Sequence, residues 1–335
     1  MRKLASVQEI ISVEHHPDAD RLDIVTVLGW HCITGRDEFK PGDKCVYFEI
    51  DSLLPPGNPV FEFCARYQYR IRTQRLRGII SQGLCMPASV FNMENLPIDS
   101  DVTDLIGVTK YDPPVPTCLD GVARGHFPSS IPKTDETRVQ NLQDMLNRHV
   151  GLPCIITEKL DGTSVTIYLR DGVFGACSRN LDLIEDENNA IWQAVRDKNY
   201  EQVLRGIYEM SGIELALQGE LIGPGIAENR YKLEKRDIYL FNIFDITNQA
   251  YFITSNVEYF CITNHYHMVP IISKEFTLTN DIDSLVSLSN GVSELNPKVK
   301  REGIVIRPHE EMYDIAVGRL SFKVVSPEYL LKHND

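Results

Sequence analysis

The segment that most constrains this chain runs from the apolar residues Cys154-Ile155-Ile156, through Lys159-Leu160-Asp161-Gly162-Thr163, to the alternation Val165-Ile167-Leu169. A buried strand is expected to stop at the lysine, the glycine to turn the backbone, and a second strand to return as a hairpin. An amine held at a strand end, beside a tight turn and a carboxylate, suits a covalent nucleophile that is neutral when it attacks. The same five residues alone would describe a solvated turn equally well. Their meaning depends on the rest of the chain.

A length of 335 residues implies two domains. The first, residues 1–110, reads as all-β. From Val13 to Phe48, apolar runs alternate with turns at Asp18-Ala19-Asp20, Gly29, Gly35-Arg36-Asp37 and Pro41-Gly42-Asp43. Short strands at such spacing predict a small barrel, and an OB fold is the simplest candidate. His16-Pro17-Asp18-Ala19-Asp20-Arg21-Leu22 and Pro41-Gly42-Asp43 resemble the OB modules that bind tRNA in some synthetases.

Within this half, Arg66, Arg70, Arg72, Arg75 and Arg77 are interleaved with Tyr67 and Tyr69 and with no acid. If the segment is extended, Arg70 and Arg72 share a face with Arg75 and Arg77 after one slip. Cations beside aromatic rings suit a polyanion track, so Arg70, Arg72, Arg75 and Arg77 are the candidate nucleic-acid contacts. An edge strand guarded by charge is the alternative. The overall charge of −13 is unusual for such a partner and predicts weak nonspecific binding, with divalent cations needed at any phosphate site.

Residues 111–133, with prolines at 113, 114, 116, 128 and 132, lack periodicity and read as a linker. The second domain, 134–335, is expected to be α+β with antiparallel sheets. Thr134-Asp135 would cap a helix carrying Val139, Leu142, Met145 and Leu146 on one face, ended by Gly151-Leu152-Pro153. Strands follow over 154–169, a helix near 188–210, strands at 213–222 and 237–246, and a helix near 255–264. A strand at 269–276, a short helix near 281–289 and strands at 303–307 and 319–325 complete the pattern.

Polar groups recur at the expected strand ends: Ser178-Arg179-Asn180, Gly219-Glu220-Leu221-Ile222-Gly223-Pro224-Gly225, Leu240-Phe241-Asn242-Ile243-Phe244-Asp245-Ile246, Arg301-Glu302-Gly303-Ile304 and Arg319-Leu320-Ser321-Phe322-Lys323-Val324-Val325. In this order, with Lys159 first, they resemble the motifs of the covalent nucleotidyltransferase superfamily of DNA ligases, RNA ligases and mRNA capping enzymes. The resemblance spans Arg138 to Lys323. The run Glu220-Leu221-Ile222-Gly223-Pro224-Gly225-Ile226 and the block from Phe127 to Asn141 are most similar to RNA ligases. A barrel placed before the transferase domain resembles the Deinococcus-type class of RNA ligase. The implied fold is α+β, an N-terminal OB-like β-barrel followed by an antiparallel-sheet nucleotidyltransferase domain.

The resemblance implies roles residue by residue. Lys159 would be adenylylated, Glu220 would hold the ribose, and Phe244 would stack on adenine while Phe241 joins the core. Glu302 would bind the catalytic metal. Lys323 would contact the α-phosphate, and Arg138 and Arg179 other phosphates. ATP is the implied nucleotide, with Mg²⁺ or Mn²⁺ as cofactor. A cation near Lys159 would favour its neutral form. One position departs from the pattern: Val325 stands where related ligases often carry a second lysine, so either one lysine suffices or Arg307 or Arg319 supplies that charge.

The implied activity is ATP-dependent sealing of RNA 3′-hydroxyl and 5′-phosphate ends, by a monomer acting on RNA. Nicked duplex RNA and an RNA/DNA hybrid both remain open as substrates. A DNA ligase, a capping guanylyltransferase and a non-catalytic nucleic-acid binder are the rival readings. No run of eighteen apolar residues suggests a membrane span, and no signal-peptide stretch follows Met1. Eight cysteines at 32, 45, 64, 85, 118, 154, 177 and 261 show no close pair, which suits a reducing compartment, cytoplasmic or nuclear. His265 and His267 are read as structural rather than metal-binding.

Overall fold

A computed structural model describes residues 3–112, 117–119 and 121–333. The chain divides into two compact units. The first comprises Met1–Pro113, Val139–Gln143 and Pro327–Asp335, and the second Pro114–Arg138 and Asp144–Ser326.

The first unit is built on an antiparallel sheet of β1 (Ala5–His15), β2 (Leu22–Val27), β3 (Trp30–Gly35), β4 (Lys44–Phe48) and β7 (Leu84–Pro87), in the order β3-β2-β1-β4-β7. The N-terminal half of β1 pairs with β4 and the C-terminal half with β2, and a bulge between Ile10 and Ser12 lets one strand serve both. The inward faces bury Ile10, Val25, Val27, Trp30, Tyr47 and Phe48. The chain is less purely β than expected. Pro59–Tyr67 forms a 3₁₀ helix and Thr103–Ile106 a short α-helix. In the turn after β1, His16 is buried and its Nδ1 accepts the Asp18 N–H, so it shapes the turn.

The basic segment is not one extended strand. Gln68 and Tyr69 are left-handed at the helix exit, and β5 (Thr73–Leu76) and β6 (Ile79–Gln82) form a hairpin closed by Arg77-Gly78. Both turn residues have positive φ, 49° and 91°, as a tight hairpin with matched twist requires.

The second unit carries two main sheets. One contains β8 (Ala123–His126), β11 (Thr163–Arg170), β12 (Val173–Cys177), β13 (Leu181–Leu183), β14 (Leu215–Ile222), β15 (Asp237–Asp245) and β16 (Ala250–Tyr251). Its order is β8-β13-β12-β11-β14-β15-β16, with β17 (His267–Met268) parallel to β15. The other runs β9-β20-β19-β10-β18, from β9 (Thr137–Arg138), β20 (Phe322–Val325), β19 (Gly303–Pro308), β10 (Pro153–Lys159) and β18 (Ile271–Thr277). Five helices accompany them: α1 (Gln143–His149), α2 (Ala190–Arg196), α3 (Tyr200–Ser211), α4 (Thr254–Asn264) and α5 (Ile282–Ser289). Residues of α2, α3 and α4 pack on Val165, Ile167, Leu217 and Leu240 to make the main core.

Four sequence expectations change. Residues 154–169 are not a hairpin, because β10 and β11 lie in different sheets and Leu160-Asp161-Gly162 is the corner between them. Thr134-Asp135 caps no helix; Thr137–Arg138 pairs in parallel with Phe322–Lys323, and α1 starts only at Gln143. The helix near 188–210 is two helices, since Asn199 adopts φ 46° and breaks the run. Part of the stretch read as a linker is ordered as β8 on β13, whereas Pro113, Pro114 and Pro116 lie outside the described residues.

All eight cysteines are free thiols. Among the described residues, no helix is long and apolar enough to cross a membrane. His267 Nδ1 contacts Asp237 at 2.6 Å and His265 ends α4, which agrees with their structural reading.

Candidate active site

Lys159 is the last residue of β10, directly across from Gly303 of β19. Three residues later the chain is already pressed against β14. A Cβ on Gly162 would lie 2.4 Å from the Leu221 carbonyl oxygen, so only glycine permits this passage. Gly303 is equally constrained, since a Cβ there would sit 2.2 Å from the Val324 carbonyl oxygen. The two glycines bring three strands close enough for Lys159, Glu220 and Glu302 to interact.

The Lys159 ammonium donates to Glu302 Oε2 at 2.6 Å. Burial works against its charge, but the carboxylates of Glu302, Glu220 and Asp161 outweigh burial and raise its pKa. The proximity of Lys323 does not offset these acids, so that cation does not by itself hold the amine neutral. Their mutual repulsion shows in turn on Glu220, whose carboxyl is pushed up to about 8 by burial and by Glu302 and Asp161, against the pull of Lys159. Glu302 is also raised, chiefly by burial.

The corner itself is clamped. The Asp161 N–H donates to the Tyr231 hydroxyl at 2.7 Å, and Arg230 pairs with the Asp161 carboxylate at 2.9 Å. Both partners come from a short loop in which Ala227, Glu228, Asn229 and Lys232 all have positive φ. Four non-glycine residues in that region mark a strained backbone held by its surroundings. The sequence reading set the Asp161 carboxylate beside the lysine but missed Arg230 and Tyr231. Only the Glu220–Ile226 run just upstream hinted that this loop mattered.

Cations gather on the neighbouring strands. Lys323 stands beside Arg138 across the parallel β20–β9 pair. Burial and the charges of Arg138 and Lys159 pull its pKa down to about 8, against the opposing effect of Asp135. Arg179, in the turn between β12 and β13, donates to Asp135 at 2.7 Å, and Lys323 reaches the same carboxylate at 3.4 Å. Val325 is buried in the same row as Gly303 and Lys159. Neither candidate replacement for a lysine there is placed to act as one. Arg307 is engaged by Glu136 and Ser321, and Arg319 by Glu311 and Asn242.

The aromatic assignment shifts as well. Phe244 is 2% exposed, sealed in a cluster with Ile131, Tyr168 and Tyr251, and presents no open face. Phe241, expected in the core, is the extra residue at a bulge in β15. It is half-buried and packs with Leu160, Ile222 and Tyr239, next to the nucleophile corner.

The basic segment of the first unit separates by residue. Arg70 is buried, paired with Asp51 at 3.0 Å and stacked on the Tyr111 ring at 3.6 Å, so it is a structural cation. Arg72 is half-buried, while Arg75 and Arg77 are exposed at the β5–β6 hairpin tip.

Among the described residues, no three metal-ligating side chains are gathered in a coordinating cage. The crowded carboxylates of Glu220 and Glu302 nevertheless fit a hard dication of the Mg²⁺ or Mn²⁺ type. Such ions take one or two carboxylates and fill their remaining positions with water and substrate phosphate.

Comparison with known proteins gives a consistent result. The RNA ligase family model matches residues 152–325, just over half of the chain, and an OB-fold domain model matches residues 4–88. An RNA ligase of Naegleria gruberi, solved with pyrophosphate, is 36% identical with a TM-score of 0.90, covering 100% of both chains. A glutamate-to-alanine mutant of that ligase, solved with ATP and Mn, gives the same values. Another such mutant, with AMP and Mn, is 36% identical with a TM-score of 0.89 over 99% of each chain. The phenylalanine–tRNA ligase beta subunit of Acinetobacter baylyi is 33% identical over 94 residues. That match takes in 27% of this chain, which spans only 10% of the subunit's length.

Proposed function

Because the chain belongs to the RNA ligase family, we propose that it is an ATP-dependent RNA ligase joining 3′-hydroxyl to 5′-phosphate ends through an enzyme-bound adenylate. The observation that carries this reading is the meeting of Lys159, Glu220 and Glu302 at one corner, with Lys323 and Arg138 beside them.

Lys159 Nζ attacks the α-phosphorus of ATP and pyrophosphate leaves. AMP passes to the 5′-phosphate of an RNA end. The 3′-hydroxyl then attacks that end and releases AMP. Glu302 and Glu220 would hold the dication, which when bound supplies positive charge at the reacting phosphate. Once those carboxylates are neutralised elsewhere, the interaction that keeps Lys159 protonated is lost and its proton can leave. Lys323, Arg138 and Arg179 receive the phosphate charge as it develops. Glu220 also takes a ribose hydroxyl, the role expected of it from the sequence. Phe241 takes over from Phe244 as the surface for the adenine ring, because it is half-buried beside the corner whereas Phe244 is sealed in the core.

In the division of labour, residues 1–110 hold RNA near the break and 134–335 perform adenylylation, with 111–133 joining them. Arg75 and Arg77 are the RNA-facing cations of the barrel. The protein acts as a monomer in the cytoplasm or nucleus, a compartment in keeping with eight free thiols. Its substrate is a break in duplex RNA or an RNA/DNA hybrid.

The test is incubation with α-labelled ATP and Mn²⁺, followed by a denaturing gel. Label on the wild type and none on Lys159→Ala is expected. An unlabelled wild type rejects the enzyme, and equal label on both rejects this nucleophile. Labelled GTP and nicked DNA, run in parallel, separate a capping enzyme and a DNA ligase.

A further inference from the structure

Asp135 is odd for an acid in a cleft read as binding phosphates. Its side chain is 59% exposed, yet its carboxylate touches two cations from different sheets. Arg179 belongs to the turn after β12 of the larger sheet, and Lys323 to β20 of the smaller one. The two oxygens divide between them, Oδ2 to Arg179 and Oδ1 to Lys323. Neighbouring residues fix the segment that carries it: Lys133 donates to Asn180 at 3.0 Å, and the hydroxyls of Thr134 and Ser164 meet at 3.2 Å. These contacts anchor the segment that presents the acid to the two cations.

Resting on the ligase reading above, we propose that Asp135 is a built-in phosphate substitute, occupying the Arg179–Lys323 position until a substrate phosphate displaces it. A carboxylate offers two oxygens to the guanidinium and the ammonium much as a phosphate does. It keeps two like charges from facing each other across the cleft when no phosphate separates them. It also lowers the net gain when a phosphate arrives, because one ion pair is exchanged for another. That exchange suits an enzyme that must release pyrophosphate after each adenylylation. Asp135 thus acts on phosphate affinity without touching the reacting atoms.

The experiment is calorimetric titration of pyrophosphate into wild type, Asp135→Asn and Asp135→Glu at one ionic strength, with melting curves to establish that each is folded. Exchange of an exposed ion pair predicts about two- to fivefold tighter pyrophosphate binding for Asp135→Asn. Asp135→Glu should return toward wild type. Binding by Asp135→Asn that is unchanged or weaker overturns the proposal, the weaker case making Asp135 an organiser of the two cations. The α-labelled ATP assay on wild type separates the two failures. A labelled wild type with no tightening in Asp135→Asn sinks the substitute alone, whereas a wild type that neither labels nor binds pyrophosphate sinks the ligase reading and this inference with it.

Discussion

The residues around Lys159 and the arginines of 66–77 make opposite use of sequence distance. Lys159, Glu220, Glu302 and Lys323 are far apart in the chain, yet neighbouring strands of two sheets and two close-packed glycines bring their charges to bear on one another. Arg70, Arg72, Arg75 and Arg77 are near neighbours, yet a left-handed helix exit and a tight hairpin send them to different surroundings. Ordered motifs scattered along a chain survive folding as a group because each is pinned to a strand end. A dense run of one charge carries no such constraint.

Four measurements would break or sharpen this contrast. The largest effect is expected at the converged end, where Lys159→Ala should lower adenylylation by about 10⁴-fold or more with the fold intact, read from label transfer and circular dichroism. Retained labelling would dissolve the first half of the comparison. In the dispersed set, Arg70→Ala should cost about 2–3 kcal/mol of stability, from a lost charge-assisted hydrogen bond and ring contact, in urea unfolding. Arg75→Ala with Arg77→Ala should leave unfolding unchanged but weaken RNA binding and lower its salt slope by about 2. If Arg70→Ala instead behaved like the hairpin-tip pair, the segment would be a uniform track after all. A smaller change is expected from Tyr231→Phe, which removes the hydroxyl facing Asp161 at a cost of about 1 kcal/mol, or about fivefold in the rate of adenylylation.

A further effect is expected in the pH dependence of stability. The folded Glu220 carboxyl sits at about 8, against an ordinary value of 4.5. The native state therefore keeps a proton that the unfolded chain has already released. Its contribution is fully present below pH 4.5 and is lost as pH rises through 8. Wild-type melting temperature should decline across that window, and Glu220→Gln should flatten the slope. An unchanged slope would remove Glu220 from the crowded corner.

What the sequence revealed follows the same division. The strand ends at Lys159 and Glu220, the barrel turns and helix α4 were legible, because alternation and glycine spacing are local signals. The corner after Lys159 was not. A lysine, an aspartate and a glycine between two apolar runs look alike whether the second strand returns beside the first or joins another sheet, and only long-range pairing decides. The burial of Phe241 and Phe244 was misjudged for a related reason. The bulge at 241 shifts the alternation by one residue, and nothing in Leu240-Phe241-Asn242 announces it. Arg230 and Tyr231 escaped because a clamp on a backbone N–H has no sequence signature.

The corner from Leu160 to Gly162 has a mechanical consequence. Three residues, stretched to the limit, span about 10 Å, and here one end is stitched into each sheet. So short a tether has no slack to absorb a shear of one sheet past the other, and any such slip would drag the amine at its root.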